Sequence, residues 1–202
     1  KQGEVGIVYF KAFAKHPGPY AIHVSKGEFT LRVINRKLET VASYRVGYGR
    51  NGDRRPKLYE GDLRTPEGTY EVTEILSMDA GKNTESYRKL KMMNETHFYA
   101  KDGHFKFGRP KEDLGTDVYG PRFFRISYPN AADERRYAAA LKKGSIPRSA
   151  EDPDEPAGIG FGIAIHGNND APGVGQLSSS GCVRMRNNDV VELDRFVRLG
   201  TP

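Results

Sequence analysis

The sequence predicts a mainly β domain with a few short helices and one inserted segment. Short runs rich in β-branched and aromatic residues follow one another through the first half of the chain, and turn residues separate them. A polar stretch then interrupts this pattern at residues 77–117. A chain of 202 residues is long enough for one domain with a hydrophobic core. We therefore expect residues 1–202 to form a single domain with an insertion at 77–117.

Composition limits the classes of partner. Hydrophobic residues make up 37% and charged residues 29% of the chain, which is typical of a globular protein. The net charge of +6 favours an anionic partner, such as nucleic acid, a lipid surface or an acidic cell-wall polymer. No run approaches the roughly 18 consecutive apolar residues of a membrane helix. The chain begins at Lys1 rather than at a methionine, so we expect an exported protein whose leader is not part of this sequence.

The first half of the chain predicts a succession of strands. Pro66 and Gly68 mark a turn before the last of them. The predicted strands lie at residues 20–24, 29–34, 40–49 and 69–75.

The insertion at 77–117 contains a basic segment, YRKLKMM, and places His97 and His104 in a predicted hairpin. Two histidines seven residues apart in a polar segment favour solvated surface over a metal site. The basic segment belongs to no recognisable nucleic-acid module, which favours a solvated face and no nucleic-acid partner. We predict no metal site and no cofactor.

The second half predicts a strand at 122–128, a helix at about 132–143 that ends before Gly144, and a strand through IGFGIAIHG at 159–167. A final helix is predicted with Asp189 as N-cap, Glu192 at its third position and Gly200 just past its end.

Alternation along IGFGIAIHG predicts two unlike faces for this strand. One face would carry Ile159, Phe161, Ile163 and Ile165, and the other would carry His166 above Gly160, Gly162 and Ala164. The second face is almost bare of side chains, which suits the close approach of a ligand.

The chain has one cysteine, which excludes an internal disulfide and a multi-cysteine zinc site. A thiol attacks as a thiolate and needs a base or a positive environment. His166 ends a strand sixteen residues before Cys182, and the loop 167–181 could return the thiol to it. The alternative is a buried structural cysteine. The polar, glycine-rich surroundings of Cys182 favour the catalytic interpretation.

The neighbours of the thiol suggest supporting roles. The backbone amides of Gly181 and Cys182 could bind an oxyanion, and the carbonyl of Gly167 could hold the second imidazole nitrogen. The segment GVGQLSSSG lacks the lysine of a phosphate-binding loop, and no serine elbow is present.

Four separated segments resemble, in order, the L,D-transpeptidases of the YkuD type. HGNNDAPGVGQLSSSGCVRM resembles their active-site signature, and RTPEGTYEV resembles their Thr-Pro-x-Gly turn. YAIHVSKGEFTLRVINRK resembles the opening strands of the family, and VYGPRFFRISYP is similar to the strand before the catalytic region. The resemblance implies an L,D-transpeptidase-like β-sandwich or barrel in which Cys182 is the nucleophile, His166 its base, and Gly181 and Cys182 the oxyanion donors. It also implies that the protein is periplasmic or associated with the cell wall.

The resemblance implies that peptidoglycan stem peptides are the substrate. The first hypothesis is a transpeptidase that passes the acyl group to an amine acceptor, from a second stem or a wall-linked protein. The second is a hydrolase, either an L,D-carboxypeptidase or an amidase that releases a linked protein. The third is an inert module that binds the cell wall. Many family members have histidine where this chain has Ser180, and this difference leaves the fate of the acyl group open.

Two further expectations concern substrate binding. Ser180, Arg184 and Arg186 flank the thiol, and the arginines could pair with substrate carboxylates. The insertion contains five aromatic residues between positions 87 and 107, too many for a disordered segment. We expect it to form an ordered flap near Cys182 on the acceptor side, with Lys106 or Arg109 near a substrate carboxylate.

Overall fold

The main hydrophobic core lies where two small β-sheets face each other. The computed structural model describes residues 2–202. The first sheet is antiparallel, in the order β1 (Tyr20–Ser25), β2 (Thr30–Asn35) and β3 (Thr40–Arg45). A short strand, β4 (Tyr48–Gly49), follows β3.

The second sheet carries the segments that the sequence analysis singled out. Its strands are β5 (Val72–Ser77), β8 (Arg122–Ile126), β9 (Ala164–His166) and β11 (Val183–Arg184), in the order β11-β9-β8-β5. Only the β9–β11 pair is parallel. Two smaller sheets pair β4 with β10 (Leu177–Ser179), and β6 (Phe105–Lys106) with β7 (Arg109–Asp113).

Residues 2–202 contain four α-helices and two single-turn 3₁₀ helices, and the latter lie at Ala100–Asp102 and Ala171–Gly173. None of the helices in this range is long and apolar enough to cross a bilayer. The α-helices are α1 (Gln2–Lys15), α2 (Glu85–Glu95), α3 (Ala131–Lys142) and α4 (Asn187–Leu193).

Alternation along the strands, together with a bulge in β5 between Val72 and Glu74, gives the second sheet two buried faces. Val72, Phe124 and Ile165 point toward the first sheet, where they pack with Leu31 and Val33. The other face carries Leu76, Phe123 and Ala164, and Leu90 of α2 covers it. Complete burial of a leucine side chain contributes about 1.5–3 kcal/mol. The segment 77–117, which the sequence predicts to be an insertion, therefore supplies the helix that closes the second face of this sheet.

The predicted mainly β domain is confirmed in a coarser form, as a strand-rich mixed fold with several small sheets. The sheets of residues 2–202 do not close into a barrel, so that part of the prediction is wrong. The predicted strand at 40–49 is divided, because residues 46 and 47 leave β3 before β4 begins.

The predicted strand at 159–167 is mostly wrong, because only Ala164–His166 form β9. Gly160 and Gly162 have φ values of +77° and +81°, which a strand cannot accommodate. The predicted alternation fails at Phe161, which is 81% exposed. The two glycines turn this segment into a loop, and the loop lines the same cavity as Cys182.

The third and fourth helices differ in how well they follow the prediction. α3 matches it, with Asn130 as N-cap and Gly144 in a left-handed conformation after the end. α4 begins earlier than predicted: its N-cap is Arg186, and Asp189 lies in its first turn. Asn187 begins this helix, and its Oδ1 accepts from the Asn168 N–H at 2.8 Å, which ties the helix start to the loop after β9. Gly200 lies in a later turn.

Candidate active site

Cys182 lies in a tight turn between β10 and β11, and a threonine holds this turn. Thr65 Oγ1 donates to Gly181 O at 2.7 Å and accepts from the Gly49 N–H at 2.9 Å. Gly181 has a φ of +147°, and a Cβ there would lie 3.0 Å from Arg64 O. Ser179 Oγ donates to Cys182 O at 2.5 Å. The Thr-Pro-x-Gly turn therefore fixes the backbone that presents the thiol.

His166 ends β9, and the strand pairing places it beside the cysteine segment. The parallel register pairs Arg184 with His166 and Val183 with Ile165. Partners in a ladder share a face, and residues two apart along a strand also share it. Cys182, Arg184 and His166 therefore belong to the same side of the sheet.

The imidazole of His166 is oriented by its own neighbour. His166 is 2% exposed, and its Nδ1 lies 2.5 Å from Gly167 O. A carbonyl only accepts, so Nδ1 carries the proton and Nε2 of the neutral ring keeps its lone pair. Tyr119 meets the ring edge-on at 5.1 Å between centroids, and Phe123 stacks on it at 6.0 Å.

These surroundings favour the neutral forms of both groups. Burial, and then the positive charge of Arg184, lower the pKa of His166 to about 3. Burial raises the pKa of the Cys182 thiol above its ordinary value. The thiol is half-buried and donates to Gly162 O at 3.7 Å. At neutral pH the pair therefore rests as thiol and imidazole rather than as an ion pair.

The two predicted oxyanion amides differ in availability. The Gly181 N–H donates to Ser179 Oγ at 3.1 Å and is therefore engaged. The Cys182 N–H has no hydrogen-bond acceptor within residues 2–202. A developing oxyanion would therefore meet the Cys182 amide first.

A cavity of about 400 Å³ contains both Cys182 and His166. The predicted residues Ser180, Gly181 and Arg184 also line it, and Ser180 is exposed. The insertion contributes part of the wall through Phe98, Asp102, His104 and Leu114. A separate cavity of about 530 Å³ opens between β1 and β5 and contains neither Cys182 nor His166.

Of the four cationic residues predicted to bind substrate, one lines the cavity and three do not. Arg184 is 7% exposed, and its Nη1 donates to Ser178 O at 3.0 Å. Arg186 is exposed at the N-cap of α4 and lies outside the cavity, because β11 ends at Arg184 and the chain turns into the helix. Lys106 and Arg109 both pair with Glu112, and neither lines the cavity.

Sequence reasoning missed several lining residues. Lys57 is 5% exposed and pairs with Asp62 at 3.1 Å. Arg50 and Phe161 also line the cavity, as does Tyr119. The segment before RTPEG holds Lys57 and Asp62, but no spacing in the sequence indicates that this loop reaches the thiol.

The histidines of the insertion have separate surroundings. His97 Nε2 lies 2.9 Å from Asp113 Oδ2, whereas His104 lines the cavity. Within residues 2–202, no group of three or more histidine, cysteine, aspartate or glutamate residues could hold a metal ion.

A family model described as YkuD, the L,D-transpeptidase catalytic domain, matches residues 19–202. No curated protein sequence matches the chain. Among solved structures, Bd1075 from Bdellovibrio bacteriovorus has a TM-score of 0.50 and 22% identity, over 91% of this chain and 45% of that one.

Two Mycobacterium tuberculosis structures also match. L,D-transpeptidase 1 has a TM-score of 0.40 and 11% identity, over 90% of this chain and 58% of that one. L,D-transpeptidase 3, in complex with a faropenem-derived adduct, has a TM-score of 0.45 and 14% identity, over 90% of this chain and 57% of that one. The chain thus spans about half the length of the solved proteins it matches.

Thr65→Val should destabilise the protein by about 1–3 kcal/mol, because the buried Gly181 carbonyl loses its donor and the Gly49 amide its acceptor. Urea unfolding measures this change. Thr73→Val is the matched control, since the Thr73 hydroxyl is exposed and its bond is 3.4 Å long; its effect should stay within about 0.5 kcal/mol. Equal effects from the two substitutions would contradict the role of Thr65.

His166 should make the protein less stable in acid. Its pKa in the folded state is about 3, below the ordinary value of 6.5, so the unfolded chain takes up the proton first. The stabilisation is complete above pH 6.5 and is lost as the pH falls toward 3. His166→Asn keeps a donor for Gly167 O but does not titrate. The difference in unfolding free energy between the two proteins should therefore be constant above neutrality and change below it. A difference independent of pH would contradict this.

Proposed function

The chain belongs to the YkuD family of L,D-transpeptidase catalytic domains, and from that premise we propose that it is a cysteine-dependent L,D-transpeptidase. Members of this family act on peptidoglycan, and stem peptides are the proposed substrate. The observation that carries the proposal is the placement of Cys182 and His166 in one cavity, with the imidazole Nδ1 engaged and Nε2 left basic. The proposed site of action is the periplasm or the cell wall.

Acylation begins from the neutral pair. The Cys182 thiol turns from Gly162 O to the Nε2 of His166, which accepts its proton as the sulfur attacks a peptide carbonyl of the donor stem. The Cys182 N–H stabilises the oxyanion. When the tetrahedral intermediate collapses, the carbon–nitrogen bond breaks and the imidazolium protonates the departing amine. The product is a thioester between Cys182 and the donor.

Deacylation again uses His166 as the base. An acceptor amine attacks the thioester, His166 takes the amine proton, and the thiolate leaves and is reprotonated. A new amide links the two stems. The same steps with water in place of the amine give hydrolysis, so the residues on the acceptor side decide the outcome. The reaction uses groups of this chain alone and no cofactor.

The cavity walls suggest how substrates are held. Ser180 lies at the exposed edge next to the nucleophile, and Arg184 offers a guanidinium to a stem carboxylate. The insertion at 77–117 acts as the flap on the acceptor side, through Phe98 and His104. Leu90 holds the flap against the second sheet, because it packs on the face of that sheet that includes Phe123.

The test is product analysis by mass spectrometry with purified tetrapeptide stems, alone and with an amine acceptor. The wild-type protein should form the linked product, and Cys182→Ala should form none. His166→Asn should lose roughly 10²–10⁴-fold in kcat/KM, because it removes the general base. His97→Asn is the matched control, since His97 lies outside the cavity, and it should retain activity.

The alternatives give different products. A stem shortened by one residue would indicate an L,D-carboxypeptidase, and release of a stem-linked protein would indicate an amidase. Binding to cell-wall fragments without any product would indicate an inert module and contradict the proposed function.

A further inference from the structure

We propose that Arg50 and Arg184 together form a subsite that binds a carboxylate beside the thiol. The identity of that carboxylate, a free carboxylate of the donor stem, rests on the proposed function. Arg50 was not indicated by any sequence pattern, and it takes the place that the sequence analysis gave to Arg186.

Arg184 is buried with unused donor capacity. It is 7% exposed, and only its Nη1 has a protein acceptor, Ser178 O. Its Nε is buried and has no partner. A guanidinium carries five N–H donors in a fixed fork, so most of its donors are free for a ligand. An uncompensated buried donor is costly, and a bound carboxylate would satisfy it.

Arg50 reaches the same cavity from the end of β4, and the insertion holds it there. Its Nη2 donates to Gly103 O at 2.8 Å, and its guanidinium lies 5.0 Å from the centre of the Phe105 ring. A cation held over an aromatic face keeps its donors at the edge of the plane free. Two contacts from the insertion thus fix the direction in which Arg50 points.

Within residues 2–202, neither arginine forms an ion pair with a carboxylate, since none lies within 4.0 Å of either guanidinium. Burial lowers the pKa of both arginines. The charge of Arg50 lowers the pKa of Arg184 further, whereas the charge of the nearby Asp170 acts in the opposite direction. Lys57, which also lines the cavity, differs because Asp62 pairs with it at 3.1 Å.

The acidic residues nearby do not fill the subsite. Asp170 is buried, and its charge favours that of Arg184 without forming an ion pair with it. Its Oδ2 accepts from the Phe107 N–H at 2.8 Å, which anchors the β6–β7 hairpin to the loop after β9. Asp102 lines the cavity but is exposed. Two cations in one concave wall without a paired anion suit a carboxylate that binds both.

A pair of small reagents tests the subsite without any substrate. Iodoacetate and iodoacetamide alkylate the thiol by the same displacement of iodide, but only iodoacetate carries a carboxylate. The rate of Cys182 alkylation by iodoacetate, divided by the rate with iodoacetamide, should be roughly threefold to tenfold higher in the wild-type protein than in Arg50→Gln. Arg50→Lys should fall between them, because it keeps the charge but not the fork.

Arg186→Gln is the matched control, since it removes the same charge from outside the cavity and should leave the ratio unchanged. Arg184→Gln should lower the ratio as Arg50→Gln does. If Arg184→Gln fails to fold, the comparison of Arg50→Gln with Arg186→Gln decides alone. Equal ratios in the wild-type protein and Arg50→Gln would overturn the proposal.

A second experiment, with stem peptides, identifies the carboxylate that binds the subsite. Stems with a free carboxylate should be preferred to carboxamide stems, and Arg50→Gln should lose this preference through KM, with kcat retained. An unchanged preference would assign the carboxylate elsewhere and overturn the donor-stem identification. A protein that turns over no stem but keeps the iodoacetate preference would lack the proposed function and retain the subsite.

Discussion

The parallel pairing of β9 with β11 is the contact on which the candidate site depends. It places Arg184 beside His166 on the neighbouring strand and brings the thiol to the same face of the sheet. A slip of one residue would turn these side chains to the opposite face of the sheet. Strands of three and two residues cannot hold a register alone, so other bonds secure it. Gly47 exchanges backbone hydrogen bonds with Arg184 at 2.8 and 2.9 Å, and Asn168 binds the carbonyl of Met185.

The burial that fixes this geometry also determines the charge state of the pair. The aromatic rings of Tyr119 and Phe123 around His166 exclude water, and the positive charge of Arg184 further disfavours the imidazolium. The thiol is therefore not ionised in advance. In the proposed reaction, proton transfer must therefore accompany attack, and Arg184 and the Cys182 amide can stabilise the negative charge that then develops. The same positive charge that opposes the imidazolium would favour an anionic ligand in the cavity.

The sequence indicated the candidate pair, Cys182 and His166, better than the surroundings of that pair, and the two residues do line one cavity. Cys182 and His166 could be identified because their motif is local and their spacing is characteristic, and the Thr-Pro-x-Gly turn could be recognised without its contact to Gly181. The strand through Phe161 was predicted wrongly, since alternation cannot reveal that Gly160 and Gly162 adopt positive φ values. Arg50 could not be found, because its approach to Arg184 depends on the tertiary fold and on contacts with the insertion.

The most direct test of this account is the intact mass of the protein after incubation with a donor stem and no acceptor. A Cys182 nucleophile served by His166 predicts an adduct equal to the donor minus its leaving amino acid, mapped by proteolysis to Cys182. The adduct should form much more slowly in His166→Asn. An unchanged mass in the wild-type protein, or an adduct on any other residue, would contradict it.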